Sequence, residues 1–129
     1  MAGELQLALA YELSPENAPR FAADIVAQAA TQGITLDYSP ETLDYLDSVT
    51  ASLRAGGVKV EQIPEVLFSF GCVLGEVVVH ERGGTWVTTT FDAPIGVRVD
   101  DRTLDVVGFA FATIASGRTY RGFFEAIAK

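Results

Sequence analysis

Four stretches of the chain place apolar residues at helical spacing, and each stops at a glycine. Phe21, Ile25, Val26 and Ala29 give one apolar face that ends at Gly33, and Leu43, Leu46, Val49, Thr50 and Leu53 give a second that ends at Gly56-Gly57. Both are preceded by a helix opening, Ser14-Pro15-Glu16-Asn17 and Ser39-Pro40-Glu41. Each opening offers a capping hydroxyl, a proline whose missing N–H costs nothing there, and an acid near the helix dipole. Pro19 is expected to delay the regular part of the first helix to about residue 18. On the second helix Asp44, Asp47, Ser48 and Arg54 are predicted to look outward.

The third stretch runs over about 63–82, from Ile63-Pro64-Glu65 to Gly83-Gly84, and is apolar nearly all round: Val66, Leu67, Phe68, Phe70, Val73, Leu74, Val77, Val78. A helix with no polar face is predicted to be central and covered by its neighbours. Gly71 and Gly75 share one of its faces and would admit another backbone closely. A hairpin over about 85–99 follows, from the β-rich runs Thr85–Phe91 and Ile95–Val99 around Asp92-Ala93-Pro94. Asp100 or Asp101 is expected to cap a fourth helix through Leu104, Val107, Phe111 and Ile114. Ser116-Gly117 breaks it, and Tyr120–Ile127 is predicted as a terminal helix with Phe123, Phe124 and Ile127 inward. Upstream, Leu5, Leu7, Leu9, Tyr11 and Leu13 alternate as a half-buried strand would, but Leu, Ala and Glu favour helix, leaving both open over residues 4–13. The whole reads as a single α+β domain, residues 1–129, with four to five helices around the central one and a small antiparallel sheet.

Charge narrows the partners. Seventeen acidic against nine basic side chains give −8, which opposes nucleic-acid phosphates and anionic membrane surfaces. The start has no basic segment followed by a long apolar one, and the run Val66–Val79 is too short to span a bilayer. A cytoplasmic acidic protein is the expectation, with no nucleic acid and no membrane as partner. Cys72 is the one cysteine, lies in an apolar run, and reads as a small buried hydrophobe.

The most distinctive segment is Gly71–Trp86, where the apolar helix carries Glu76 and the chain's one histidine, His80, and then turns into the strand with its one tryptophan, Trp86. Glu76 and His80 are a helical turn apart. A metal site would need further ligands that no spacing supplies, so neither metal nor cofactor is expected. Covalent catalysis fares no better: Cys72 and His80 are about 12 Å apart along the helix axis, and no nucleophile elbow or phosphate loop is present. No catalytic residue is assigned. Glu76 is instead expected to accept a hydrogen bond from a neighbouring strand, the Trp86 indole or a tyrosine, locking helix to hairpin. His80 near the helix end would interact with its dipole. Arg118 and Arg121 could share a face and contact an anion or an acidic partner.

The run Gly71-x-x-x-Gly75-Glu76-Val-x-Val-x-x-x-Gly83-Gly84-x-Trp86, with Leu36-Asp37-Tyr38-Ser39-x-Glu41-Thr42-Leu43-x-x-Leu46-Asp47 before it, resembles a signature of small bacterial domains of unknown function abundant in actinobacteria. The resemblance covers about half the chain. It implies the fold and no activity, and it suggests toxin–immunity or accessory contexts. The expected function is therefore a non-enzymatic domain acting through an unknown protein partner or as a homodimer, the dimer forming through the Gly71/Gly75 face or a free hairpin edge. The alternative is a small-molecule-binding protein or hydrolase with a pocket near Glu76, His80 and Trp86.

Overall fold

Helix α3 (Pro64–Arg82) is the axis on which the other four helices and the first two strands of the sheet are packed. Its middle, from Phe70 to Val78, is buried without interruption, Glu76 included. The computed structural model describes residues 9–127, in the order α1 (Ala18–Ala30), α2 (Pro40–Ala55), α3, β1 (Thr85–Thr88), β2 (Ile95–Val99), β3 (Arg102–Leu104), α4 (Val106–Ser116) and α5 (Tyr120–Ile127). Short 3-10 turns at Pro15–Asn17 and Val60–Gln62 lead into α1 and α3. This is an α+β fold with a small antiparallel sheet, and no helix among the described residues is long and apolar enough to cross a membrane.

Two glycines of α3 set how closely its neighbours approach. A Cβ at Gly71 would stand 2.7 Å from the Val107 Cα, and one at Gly75 would run into the ring of Trp86. The face expected to accept another chain is therefore filled by this chain's own α4 and β1. Helix α1 docks on α3 through the edge-to-face contact of Phe21 on Phe68, and Tyr11 meets Phe21 in the same way, with centroids 4.8 and 5.0 Å apart.

The sheet order is β1-β2-β3, with Trp86 opposite Val97 and Val97 opposite Leu104 on the face turned to α3. β3 corrects the expected helix start at Asp100 or Asp101. Asp100 instead sits at φ +56 in a two-residue turn that pairs Val99 with Arg102, and α4 begins after Asp105, whose carboxylate accepts the Gly108 N–H at 2.8 Å. Acidic residues serve turns and helix caps equally well, which is why three aspartates in six residues misplace the boundary. Strand β1 ends at Thr88, short of Phe91, because the Thr89 N–H already bonds the Pro94 carbonyl and closes the turn. Of the alternating N-terminal run, residues 5–8 lie outside the described residues and 9–13 form bends and irregular backbone, with no strand.

Of the residues expected to look outward from α2, Asp44, Ser48 and Arg54 are exposed, and the second correction is to Asp47 and to the role of Arg54. Asp47 accepts the Tyr120 and Arg121 amides at 2.6 and 3.2 Å, capping α5 from across the fold, and Arg54 donates from Nε to the Ile114 carbonyl at 2.8 Å, capping the end of α4. Two turns apart on one helix, they grip both sides of the α4–α5 corner, where Gly117 takes φ +75. Asp44 adds an ion pair to Arg121 at 3.0 Å. Ser14 and Ser39 occupy their N-cap positions, but neither hydroxyl caps; Asp37 accepts the Ser39 N–H instead.

Burial, with a smaller push from Asp92, raises the Asp105 carboxyl above its ordinary 3.8, and the Gly108 bond only partly offsets it. Protonation then favours the folded state, so the Asp105 contribution is fully present below 3.8 and is lost as pH rises through the folded value. Asp105→Asn keeps an acceptor for Gly108 without the charge. Its melting temperature is expected to match or exceed wild type at pH 7, with the difference widening from pH 3 to pH 7. Asp105→Ala is expected to lose about 1 kcal/mol, and urea titrations of the three proteins check both.

Candidate functional site

Glu76 lies on the sheet-facing side of α3, 7% exposed. Its place there follows from its neighbour: with no side chain at Gly75, the Trp86 indole lies flat enough against the helix for Nε1 to donate to Glu76 Oε2 at 2.8 Å. Helix and hairpin are thus tied by one part-buried hydrogen bond from the indole to the carboxylate, as the sequence predicts. The other oxygen, Oε1, stands 3.7 Å from His80 Nε2, beyond hydrogen-bond length, and His80 is half exposed with 53% of its side chain accessible.

Tyr38 completes this cluster, and nothing in its spacing from Glu76 announces it. It takes φ +62, a left-handed conformation uncommon for an aromatic residue, and its ring stacks on His80 with centroids 5.2 Å apart. Burial first, and the Glu76 charge second, push its phenol up. Cys72 sits one turn back from Glu76, fully buried, and burial with the same carboxylate pushes its thiol far up. A thiol held protonated is no nucleophile. Among the described residues no three of His, Cys, Asp and Glu stand together as metal ligands. The arrangement can lock a strand to a helix and present a stacked imidazole at the surface.

The predicted arginines are not brought together as one anion site. Arg121 is engaged by Asp44, by Glu125 at 3.2 Å and by the Pro40 carbonyl, while Arg118 lies outside α5 with its guanidinium 5.2 Å from the Phe109 ring centroid.

A separate open groove of about 600 Å³ lies between the C-terminal ends of α2 and α4 and the turn that follows α2. Ala51, Ala55, Val58, Val60, Ile114 and Ala115 form its apolar part, with Arg54, Lys59 and Glu61 as its charges. A small cleft that shares Ala51 and Arg54 with it adjoins the groove and is bordered by Asp47 and Arg118. Sequence reading passes over it because its residues come from three elements. The signal that could have found it is a pair of cations, Arg54 and Lys59, flanking the Gly56-Gly57 stop.

No family model, curated protein or solved structure matches the chain.

Trp86 is the only tryptophan, so its fluorescence reports unfolding directly. Trp86→Phe leaves Glu76 Oε2 without its donor and is expected to cost about 1–3 kcal/mol. Glu76→Gln, which keeps an acceptor, should cost less, and Gly75→Ala should be the worst of the three because its Cβ meets the indole. A Trp86→Phe variant as stable as wild type by circular dichroism would refute the tie. For Cys72, the folded chain should resist a disulfide reagent at pH 8 and react with one equivalent once unfolded in guanidinium.

Proposed function

We propose that this chain is a non-enzymatic accessory domain of bacterial, immunity-like type that acts in the cytoplasm by binding a protein partner. The observation that carries the reading is the Trp86–Glu76 bond, which takes the one buried carboxylate of α3 into architecture. The groove at the end of α2 supports it, since an open surface with an apolar floor suits a polypeptide better than a small molecule, which is usually enclosed over most of its area. Cys72 kept as an unpaired thiol is in keeping with a reducing compartment. The net charge of −8 argues against nucleic acid as the partner.

His80 supports a second reading, a small-molecule-binding protein or hydrolase working at Glu76, His80 and Trp86. Its ring is half exposed, stacked on Tyr38 and within 3.7 Å of Glu76 Oε1. The two readings part at Glu76→Gln, which under the second abolishes ligand binding or turnover while the melting temperature holds.

A tagged chain incubated with extract of its native host is expected to retain a protein that re-forms a complex of fixed stoichiometry from purified components. Self-association would appear in sedimentation as a dimer that strengthens with concentration. A monomer that retains no partner across salt and growth conditions would overturn the proposal.

A further inference from the structure

The geometry points to the trough formed by the α2–α4 groove and its adjoining cleft as the docking site for an acidic, apolar peptide segment of a partner. This deepens the binding reading above and rests on it. Ala51, Val58, Val60 and Ile114 give the trough an apolar floor. Three of the chain's nine cations, Arg54, Lys59 and Arg118, border it, and none has a carboxylate within 4.0 Å among the described residues.

The facing carboxylates are Asp47 and Glu61. Asp47 is occupied by two backbone amides of α5, which leaves Glu61 against three cations. In a chain of net charge −8 this local positive excess runs against the overall balance, and screening over about 8 Å at physiological salt lets the local charges decide the contact. Arg54 is held in place by its Nε bond to Ile114, and its guanidinium lies against Gly117, where a Cβ would come within 2.7 Å of Nη1. Its two Nη groups have no protein partner among the described residues, so they can fork onto a carboxylate with little loss of side-chain freedom. A free fatty acid could meet the same cations, but an open groove would leave most of its chain in water.

The probes are labelled decapeptides with leucines three and four apart and glutamates between them, the same peptide with lysines for glutamates, the same with serines for leucines, and free dodecanoate. Fluorescence anisotropy reads affinity, and amide NMR shifts read the site. The leucine–glutamate peptide is expected to bind at least about tenfold more tightly than either control and to lose about tenfold in Lys59→Glu and on raising salt. It should shift the resonances of Ala51, Val58 and Ile114, and Lys59→Glu should melt with the wild type. Ala51→Glu is the second blocking variant, acting on the floor and not on the rim.

Equal binding of the lysine or serine peptide, indifference to both variants, or saturation of the trough by dodecanoate with no peptide binding would each overturn the assignment. If a recovered protein partner binds wild type, Lys59→Glu and Ala51→Glu alike, the trough is wrong and the binding reading stands. If no partner is recovered at all, the binding reading itself fails.

Discussion

The absence of a side chain at Gly75 is the constraint on which the sheet's position depends. A helix that is apolar all round has no preferred face, so something must decide which neighbour goes where. Gly75 decides it for the hairpin: the Trp86 ring occupies the space a Cβ would take, and only from there does its Nε1 reach Glu76. Gly71, one turn earlier, does the same for α4, whose backbone at Val107 fills the gap. Backbone and ring approach more closely than any residue with a Cβ would allow, and dense packing in such an interior transmits any added volume to both neighbours. Glu76 then gives the contact its direction, because a buried carboxylate needs a donor and the indole N–H supplies one.

The corner between α4 and α5 is held by charges on α2 used on backbone groups. Helix ends leave amides and carbonyls without intrahelical partners, and the α4–α5 corner exposes both kinds within a few residues. Asp47 meets the amides at the start of α5, and Arg54 meets a carbonyl at the end of α4. Burial raises the Asp47 carboxyl and its two amide bonds lower it, the burial effect being the larger. The corner is further filled by aromatic contacts: Tyr120 meets Phe70 and Phe109 edge-on, while Arg82 lies over the Phe124 ring at 4.2 Å. Helix α5, only two turns long, is stable through these neighbours and not through its own propensity.

Most of what depends on one stretch of sequence was legible in it. The four apolar faces, the glycine stops at Gly83 and Gly117, the hairpin and its partner strand, and the Glu76–Trp86 bond all rest on local periodicity or on a single polar group in an apolar run. Much of what was not legible depends on groups far apart in sequence, and the rest on stretches too short to show a pattern. Asp47 and Arg54 read as solvated because the amides and the carbonyl they serve come sixty or more residues later. Strand β3 has three residues and one apolar side chain, too few for a period to show, and the left-handed backbone at Asp100 that creates it suits aspartate as readily as a cap does. Tyr38 joins Glu76 and His80 only because its loop folds back over α3, which no spacing encodes.

The trough is built on α2 as well. Arg54 is at once a cap of α4 and a wall of the groove, so one side of any bound peptide would meet a guanidinium already fixed by the Ile114 carbonyl and by Gly117. The opposite side is the turn after α2, where Gly57 at φ +76 brings Val58 and Lys59 round to face it. Both walls are set by α2: one by a side chain in its last turn, the other by the glycine pair that ends it. A recognition surface built this way is formed before its ligand arrives, and preorganisation of that kind lowers the ordering cost that weakens peptide binding to mobile loops. It also means that surface and stability can be separated experimentally only at Lys59 and along the apolar floor, since any change at Arg54 removes a helix cap together with a rim charge.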